Sequence, residues 1–252
     1  MKKYNCEDKV FIRSKNRIEI DITYVCTLSC LNCDHSCGYN TLKEYMTIEQ
    51  IRKFISESIE VDYKWLFINI MGGEPTLHPQ VIDIIKLLRE YVDEHSPKCD
   101  LCITSNGFTS KTKQILDELQ KYCRIINTHK TGENPPFSPF NTAPIDDEDM
   151  KDDDFTKGCP KTSICGIGLN MYGYYQCSAA PSIDRYIKKD IGRKKLPKSS
   201  DLMHDIMKET CKYCGHFKDC ALLRTKDYVV SSYLSPTWKK LYQQGASKLS
   251  EY

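Results

Sequence analysis

Residues 17–24 alternate strictly: Ile18, Ile20 and Ile22 fall on one face, and Glu19, Asp21 and Thr23 on the other. A period of two predicts a strand with one face in a core and one polar face. Further on, Ile48, Ile51, Phe54, Ile55 and Ile59 recur at helical spacing. Thr47 and Gln50 at the head of that run predict a capping box. Residues 65–71 are mostly apolar, the pattern of a parallel strand buried on both faces. Val81, Ile84, Ile85, Leu87 and Leu88 predict a helix over 78–91. Residues 100–105 read as a strand ending at Asn106-Gly107. Ser110 is expected to cap a helix carrying Ile115, Leu116 and Leu119, and residues 123–128 read as the fourth strand. Strands alternating with helices in this way predict βα units, a parallel sheet with crossover helices.

The pattern breaks after residue 131. Residues 132–158 carry several prolines and the acidic runs 146–149 and 152–154. This stretch is either a linker or a lid, and its position between two cysteine-bearing regions favours the lid. The acidic runs read most simply as a solvated face. Residues 166–177 suggest a hairpin turning near Tyr172-Gly173. Residues 188–198 read as a basic surface loop, 201–210 as a short helix, and the tail as partly helical. The expected organisation is therefore a βα core over 1–131, the lid or linker over 132–158, and a small cysteine-rich region over 159–252.

In βα folds, function gathers at the C-terminal ends of the strands. Cys26, Cys30 and Cys33 follow the first strand, and Gly72-Gly73-Glu74-Pro75 the second. Ser105-Asn106-Gly107 follows the third, and His129-Lys130 the fourth. Three thiols on one short loop can hold three corners of a metal cluster, and spacing alone leaves iron–sulfur and zinc both open. Two glycines let backbone approach a ligand closely, and Glu74 offers a carboxylate to an ammonium. His129 and Lys130 are candidate substrate contacts or bases.

Composition narrows the picture. The chain has 252 residues, a net charge of +2 and 14 cysteines. That length suits one large domain, or one with a small appendage. No apolar run approaches the ~20 residues a membrane helix needs, and no signal sequence is evident, so a cytoplasmic location is expected. The small net charge gives no argument for nucleic acid. Structural disulfides are not expected in a reducing compartment. Cys99, Cys102 and Cys123 lie in apolar runs and read as core residues; Cys6 reads as incidental.

The Cys26, Cys30 and Cys33 spacing, followed one βα unit later by Gly72-Gly73-Glu74-Pro75, resembles the signature of radical S-adenosylmethionine (SAM) enzymes. The resemblance implies an α/β fold, a partial and shortened βα barrel. It implies a [4Fe–4S] cluster on the three cysteines, with SAM chelating the fourth iron. It gives Glu74 to the amino group of SAM, and places Ser105 and Asn106 near its ribose or the reaction centre. Cys37 would then be a loop thiol rather than a fourth ligand, and His35 a wall of the substrate pocket. Asn32 departs from the aromatic residue often found before the third cysteine. The later cysteines resemble SPASM/Twitch extensions: Cys159, Cys165, Cys177, Cys211, Cys214 and Cys220. They imply one auxiliary [4Fe–4S] cluster, with Cys165, Cys177, Cys211 and Cys214 as first choice of ligands and Cys159 and Cys220 in reserve. A structural zinc site on cysteine thiolates is the alternative.

The same resemblance implies the chemistry: reductive cleavage of SAM to a 5′-deoxyadenosyl radical, then hydrogen abstraction. An electron donor such as flavodoxin or ferredoxin is implied as partner. The compact chain is similar to aminocyclitol dehydrogenases of the superfamily, so the expected substrate is a small polar, sugar-like molecule undergoing dehydrogenation or epimerisation. Peptide modification is the alternative within the class. A non-catalytic iron–sulfur or zinc protein is the alternative outside it.

Overall fold

The computed structural model describes residues 9–132, 140–218 and 234–252. Strands β1 (Arg17–Thr23), β2 (Phe67–Gly72), β3 (Asp100–Ser105) and β4 (Arg124–Asn127) alternate with helices α1 (Ile48–Glu60), α2 (Val81–His95) and α3 (Ser110–Leu119). A short helix α4 (Pro160–Ile164) leads to the hairpin β5 (Ile167–Asn170) and β6 (Gly173–Tyr175). Helices α5 (Ala180–Ile187), α6 (His204–Thr210), α7 (Gly215–Lys218) and α8 (Pro236–Gln244) follow.

One six-stranded sheet runs in the order β4-β3-β2-β1-β5-β6. All neighbours are parallel except the β5–β6 hairpin. The four expected strands and their crossover helices are therefore present, and β5 joins the free edge of β1. The fold is the shortened α/β half-barrel expected from the pattern. At α1 the capping box forms: Gln50 N donates to Thr47 Oγ1 at 3.1 Å, and Thr47 N donates to Gln50 Oε1 at 2.9 Å. At α3 the cap is Thr109, not Ser110; the hydroxyl one residue earlier accepts from Thr112 N at 3.0 Å.

The two faces of the sheet differ. Ile18, Ile20, Ile22, Ile68 and Ile70 are wholly buried with Ile51 and Phe54 of α1 and Ile84, Ile85 and Leu88 of α2. Burial of side chains this size stabilises by about 1.5–3 kcal/mol each. The other face carries the polar alternate positions. Glu19 pairs with Asn69 in register, and Asn69 with Cys102. Thr104 Oγ1 donates to Asn69 Oδ1 at 2.9 Å.

The C-terminal region folds back over that polar face. A Cβ on Gly168, the partner of Glu19, would stand 2.4 Å from the carbonyl oxygen of Cys177. Only glycine lets the chain after the hairpin lie this close. The described part of 132–158 packs as a piece of this region: Phe140 is wholly buried beside Trp238, and Phe155 clusters with Met207, Cys211 and Phe217. Asp146 accepts from Thr237 N and Oγ1 at 3.0 and 2.7 Å. The basic stretch 188–198 also does more than loop: Arg193 exchanges backbone bonds of 2.9 Å with Tyr174 of β6. Among the described residues no helix is long and apolar enough to cross a membrane.

Candidate active site

The loop after β1 carries Cys26, Cys30, Cys33 and Cys37, all partly exposed, whereas Cys99, Cys102 and Cys123 are buried. Sequence pattern separates these two groups correctly. Cys37 lies against Cys26 and Cys33, and hydrogen bonding with them pushes its thiol well up. Those hydrogen bonds draw Cys33 well below the ordinary thiol range and lower Cys26. Burial pushes Cys30 up to about 12, opposed by the charge of Lys130. Three cysteines on one loop can supply three of the thiolate ligands of an iron–sulfur cluster.

The tip of β2 is stitched to the start of that loop. Gly73 N donates to Thr23 O at 2.7 Å and Glu74 N to Val25 O at 2.8 Å. A Cβ on Gly72 would stand 2.2 Å from Thr23 O, and one on Gly73 2.3 Å from Val25 O. The glycines are thus required by the exit of β1, a tighter constraint than the ligand approach expected from sequence. Glu74 belongs to the same stitch. It is wholly buried, and its carboxylate accepts from Thr76 N and Oγ1 at 3.1 and 2.8 Å, Ser105 Oγ at 2.9 and 3.0 Å, and Asn106 N at 2.8 Å. With those donors around it the carboxylate latches the β2 and β3 loops together. Pro75 is buried directly behind it.

Ser105 and Asn106 follow from the same latch. Asn106 Nδ2 reaches Thr27 Oγ1 at 3.2 Å and Cys26 Sγ at 3.8 Å, so the β3 loop touches the cysteine loop. After β4, Lys130 N donates to Asn106 O at 3.1 Å. His129 is exposed, its backbone at φ 47°. All four strand-end loops therefore meet, with Lys130 nearer the cysteines than His129.

His35 is not the free pocket wall expected. Its Nε2 meets Asp21 Oδ1 at 3.1 Å and its Nδ1 meets Asp34 Oδ1 at 3.0 Å. Two carboxylates outweigh burial and hold the imidazole well above its ordinary range. Lys161 Nζ bonds the other oxygen of Asp34 at 2.8 Å, and His216 stands 3.7 Å from it. Asp34 follows Cys33, Lys161 lies two residues after Cys159, and His216 two after Cys214. One buried carboxylate thus joins the first cysteine loop to the second cysteine set.

That second set lines one small cavity: Cys159, Cys177, Cys211 and Cys214, all buried. The thiols press on one another; burial raises all four, Cys214 to about 12. The structure exchanges one member of the expected set. Cys165 is not among the residues lining the cavity and is less buried, its thiol raised by burial and by Glu19. Helix α4 separates Cys159 from Cys165, a placement that spacing does not reveal. Cys220 lies outside the described residues. Four thiols around one cavity fit a tetrahedral zinc or a cubane cluster equally in donor chemistry.

The far end of the chain braces the first loop. Tyr242 of α8 stacks on Tyr39 with centroids 3.7 Å apart, and its hydroxyl meets Ser36 Oγ at 3.0 Å. Arg185 of α5 pairs with Glu44, donates to Asn40 Oδ1 at 2.7 Å and covers the ring of Tyr24.

A parallel half-barrel with three partly exposed cysteines at the end of its first strand is the arrangement of the radical SAM fold. Residues 20–129 match the family model of the radical SAM superfamily. A probable GTP 3',8-cyclase of Pyrococcus horikoshii is 32% identical over 99 residues, which are 39% of this chain and 29% of that protein. A GTP 3',8-cyclase of Campylobacter jejuni subsp. doylei is 30% identical over 103 residues, 40% of this chain and 30% of that one. The chain therefore spans under a third of these curated relatives. The likeness in fold extends further: the crystal structure of BtrN in complex with AdoMet and 2-DOIA superposes with a TM-score of 0.51 at 14% identity. It covers 90% of this chain and 99% of that one.

Proposed function

We propose that the protein is a radical SAM enzyme acting on a small polar, sugar-like molecule, which it dehydrogenates or epimerises. One observation carries this reading: both cysteine sites converge over the polar face of β1 and β5. Asp34 and His35 descend from the first loop onto Asp21. Cys177 lies on Gly168, beside Glu19, from the other side. The side chains between the two sites are carboxylates, Lys161 and Asn69 rather than an apolar wall.

Cys26, Cys30 and Cys33 would hold a [4Fe–4S] cluster, and Cys159, Cys177, Cys211 and Cys214 an auxiliary one. Bound at the first loop with SAM, such a cluster would supply one-electron reductive cleavage and radical hydrogen abstraction. The chain's own residues do the positioning. Glu74, through Ser105 and Asn106, fixes the β3 loop against Thr27, so the wall beside the cysteines is set before any ligand arrives. Asn106 places an amide donor on Cys26. Lys130 brings positive charge to Cys30, where a thiolate must form. A flavodoxin or ferredoxin would deliver the electron.

Anaerobically prepared protein should yield 5′-deoxyadenosine from SAM and dithionite. The yield should rise with amino or hydroxyl cyclitols and hexoses added. A colourless, zinc-loaded protein with no 5′-deoxyadenosine would overturn the reading. Stimulation by a co-expressed peptide alone, seen as a mass change of that peptide, would reassign the substrate.

A further inference from the structure

Gln176 precedes Cys177 and is wholly buried at the wall of the second cysteine cavity. A buried amide has a carbonyl oxygen and two N–H groups to satisfy, and its two ends must be told apart by their partners. Here the partners decide. Thr210 Oγ1 donates its only proton to the carbonyl of Ile206 at 2.9 Å. Its oxygen can then only accept, and it stands 2.8 Å from the Gln176 amide, which must present Nε2. That nitrogen keeps a second hydrogen. The sulfur of Cys211 lies 3.9 Å away to receive it. Gln176 Oε1, buried on the other side, has no partner among the described residues.

An unpaired buried carbonyl costs free energy comparable to a lost hydrogen bond. The reverse orientation would confront one acceptor with another at Thr210, and would turn the amide oxygen towards the sulfur. The side chain is thus held with its donor towards Cys211. A neutral thiol gains little from this, whereas a thiolate gains a charge-assisted bond.

We propose that Gln176 is a positioning residue of the second cysteine site, donating through Nε2 to the Cys211 sulfur and setting how readily a cluster there accepts an electron. The proposal rests on the auxiliary cluster proposed above. Hydrogen bonds to cluster sulfurs favour the more negative, reduced state. Removing this donor should therefore lower the reduction potential of the second cluster and leave the first unchanged as an internal reference.

The test is a potentiometric titration of the anaerobically reconstituted full chain, followed by electron paramagnetic resonance, in wild type and Gln176→Met. The methionine keeps the volume and removes the N–H. The expected result is a shift of about tenfold in the reduction equilibrium, about 59 mV lower for one electron, at unchanged iron content. An unchanged potential overturns the proposal. Should Gln176→Met lose the second set of iron, Thr210→Val removes the partner that holds the amide. A smaller shift in the same direction supports the proposal there, and a wild-type potential overturns it. Metal analysis separates this failure from that of the underlying reading: zinc in the second site of the wild type overturns both.

Discussion

Cys26, Cys30 and Cys33 come from one short loop and remain partly open, while Cys159, Cys177 and the Cys211–Cys214 turn come from three places along the chain and are buried. In the first site a neighbouring thiol lowers two of the cysteines. In the second, burial raises all four. The first is a local device that a strand merely has to present. The second exists only when α4, the hairpin, α6 and the turn before α7 have docked. A metal taken up there would be bound up with folding.

The largest effect should come from the thiols themselves. Cys30→Ala should abolish 5′-deoxyadenosine formation, while Cys177→Ala should keep some SAM cleavage and lose product. Equal and total loss in both variants, with circular dichroism unchanged, would break the distinction. Next comes the ion pair joining the two regions. The Arg185 and Glu44 side chains are 0% and 4% exposed, and stranding one of two buried charges costs roughly 3–5 kcal/mol. Arg185→Ala should lower the urea midpoint accordingly and loosen both sites together.

A smaller effect tests the stitch between β2 and the first loop. A Cβ on Gly73 would meet the Val25 carbonyl at 2.3 Å, so Gly73→Ala should cost about 1–3 kcal/mol. Its signature is a loss of SAM cleavage with the second set of iron retained. Smallest at neutral pH is the effect of the core thiols, which are buried without being ligands. Burial raises Cys123 to about 11, while an unfolded thiol titrates near ~8.5. The stabilisation is full below ~8.5 and lost as pH rises towards the folded value, at most about 1.4 kcal/mol per pH unit. Urea midpoints at about pH 8 and about pH 10 should fall further in wild type than in Cys123→Val.

Much of the fold was legible because its elements are periodic. The strand alternation at 17–24, the apolar run at 65–71 and the Thr47–Gln50 box each specify local geometry. The first site was legible for the same reason, as contiguous residues at a strand end. The rest depends on contacts distant in sequence. Helix α5 escaped notice because Asp184 and Arg185, polar in composition, are wholly buried by Tyr175 and Glu44. Cys165 was preferred over Cys159 because spacing cannot say which side of a five-residue helix faces a cavity. The bonds from Ser105 and Asn106 to Glu74 likewise have no signal in the sequence. Pairing of Asp34 with Lys161 spans 127 residues and has no signal in either neighbourhood.

The stacking of Tyr242 on Tyr39, with its hydroxyl on Ser36, has a consequence in time. The cysteines of the first loop leave a ribosome well before the ring that braces their loop, which is made some two hundred residues later. Until Tyr242 arrives, a nascent chain displays reactive thiols on an unbraced loop. Iron inserted in that interval would meet a site still lacking its outer wall. Release of the chain through α8 thus sets the earliest moment at which cluster assembly meets the finished loop.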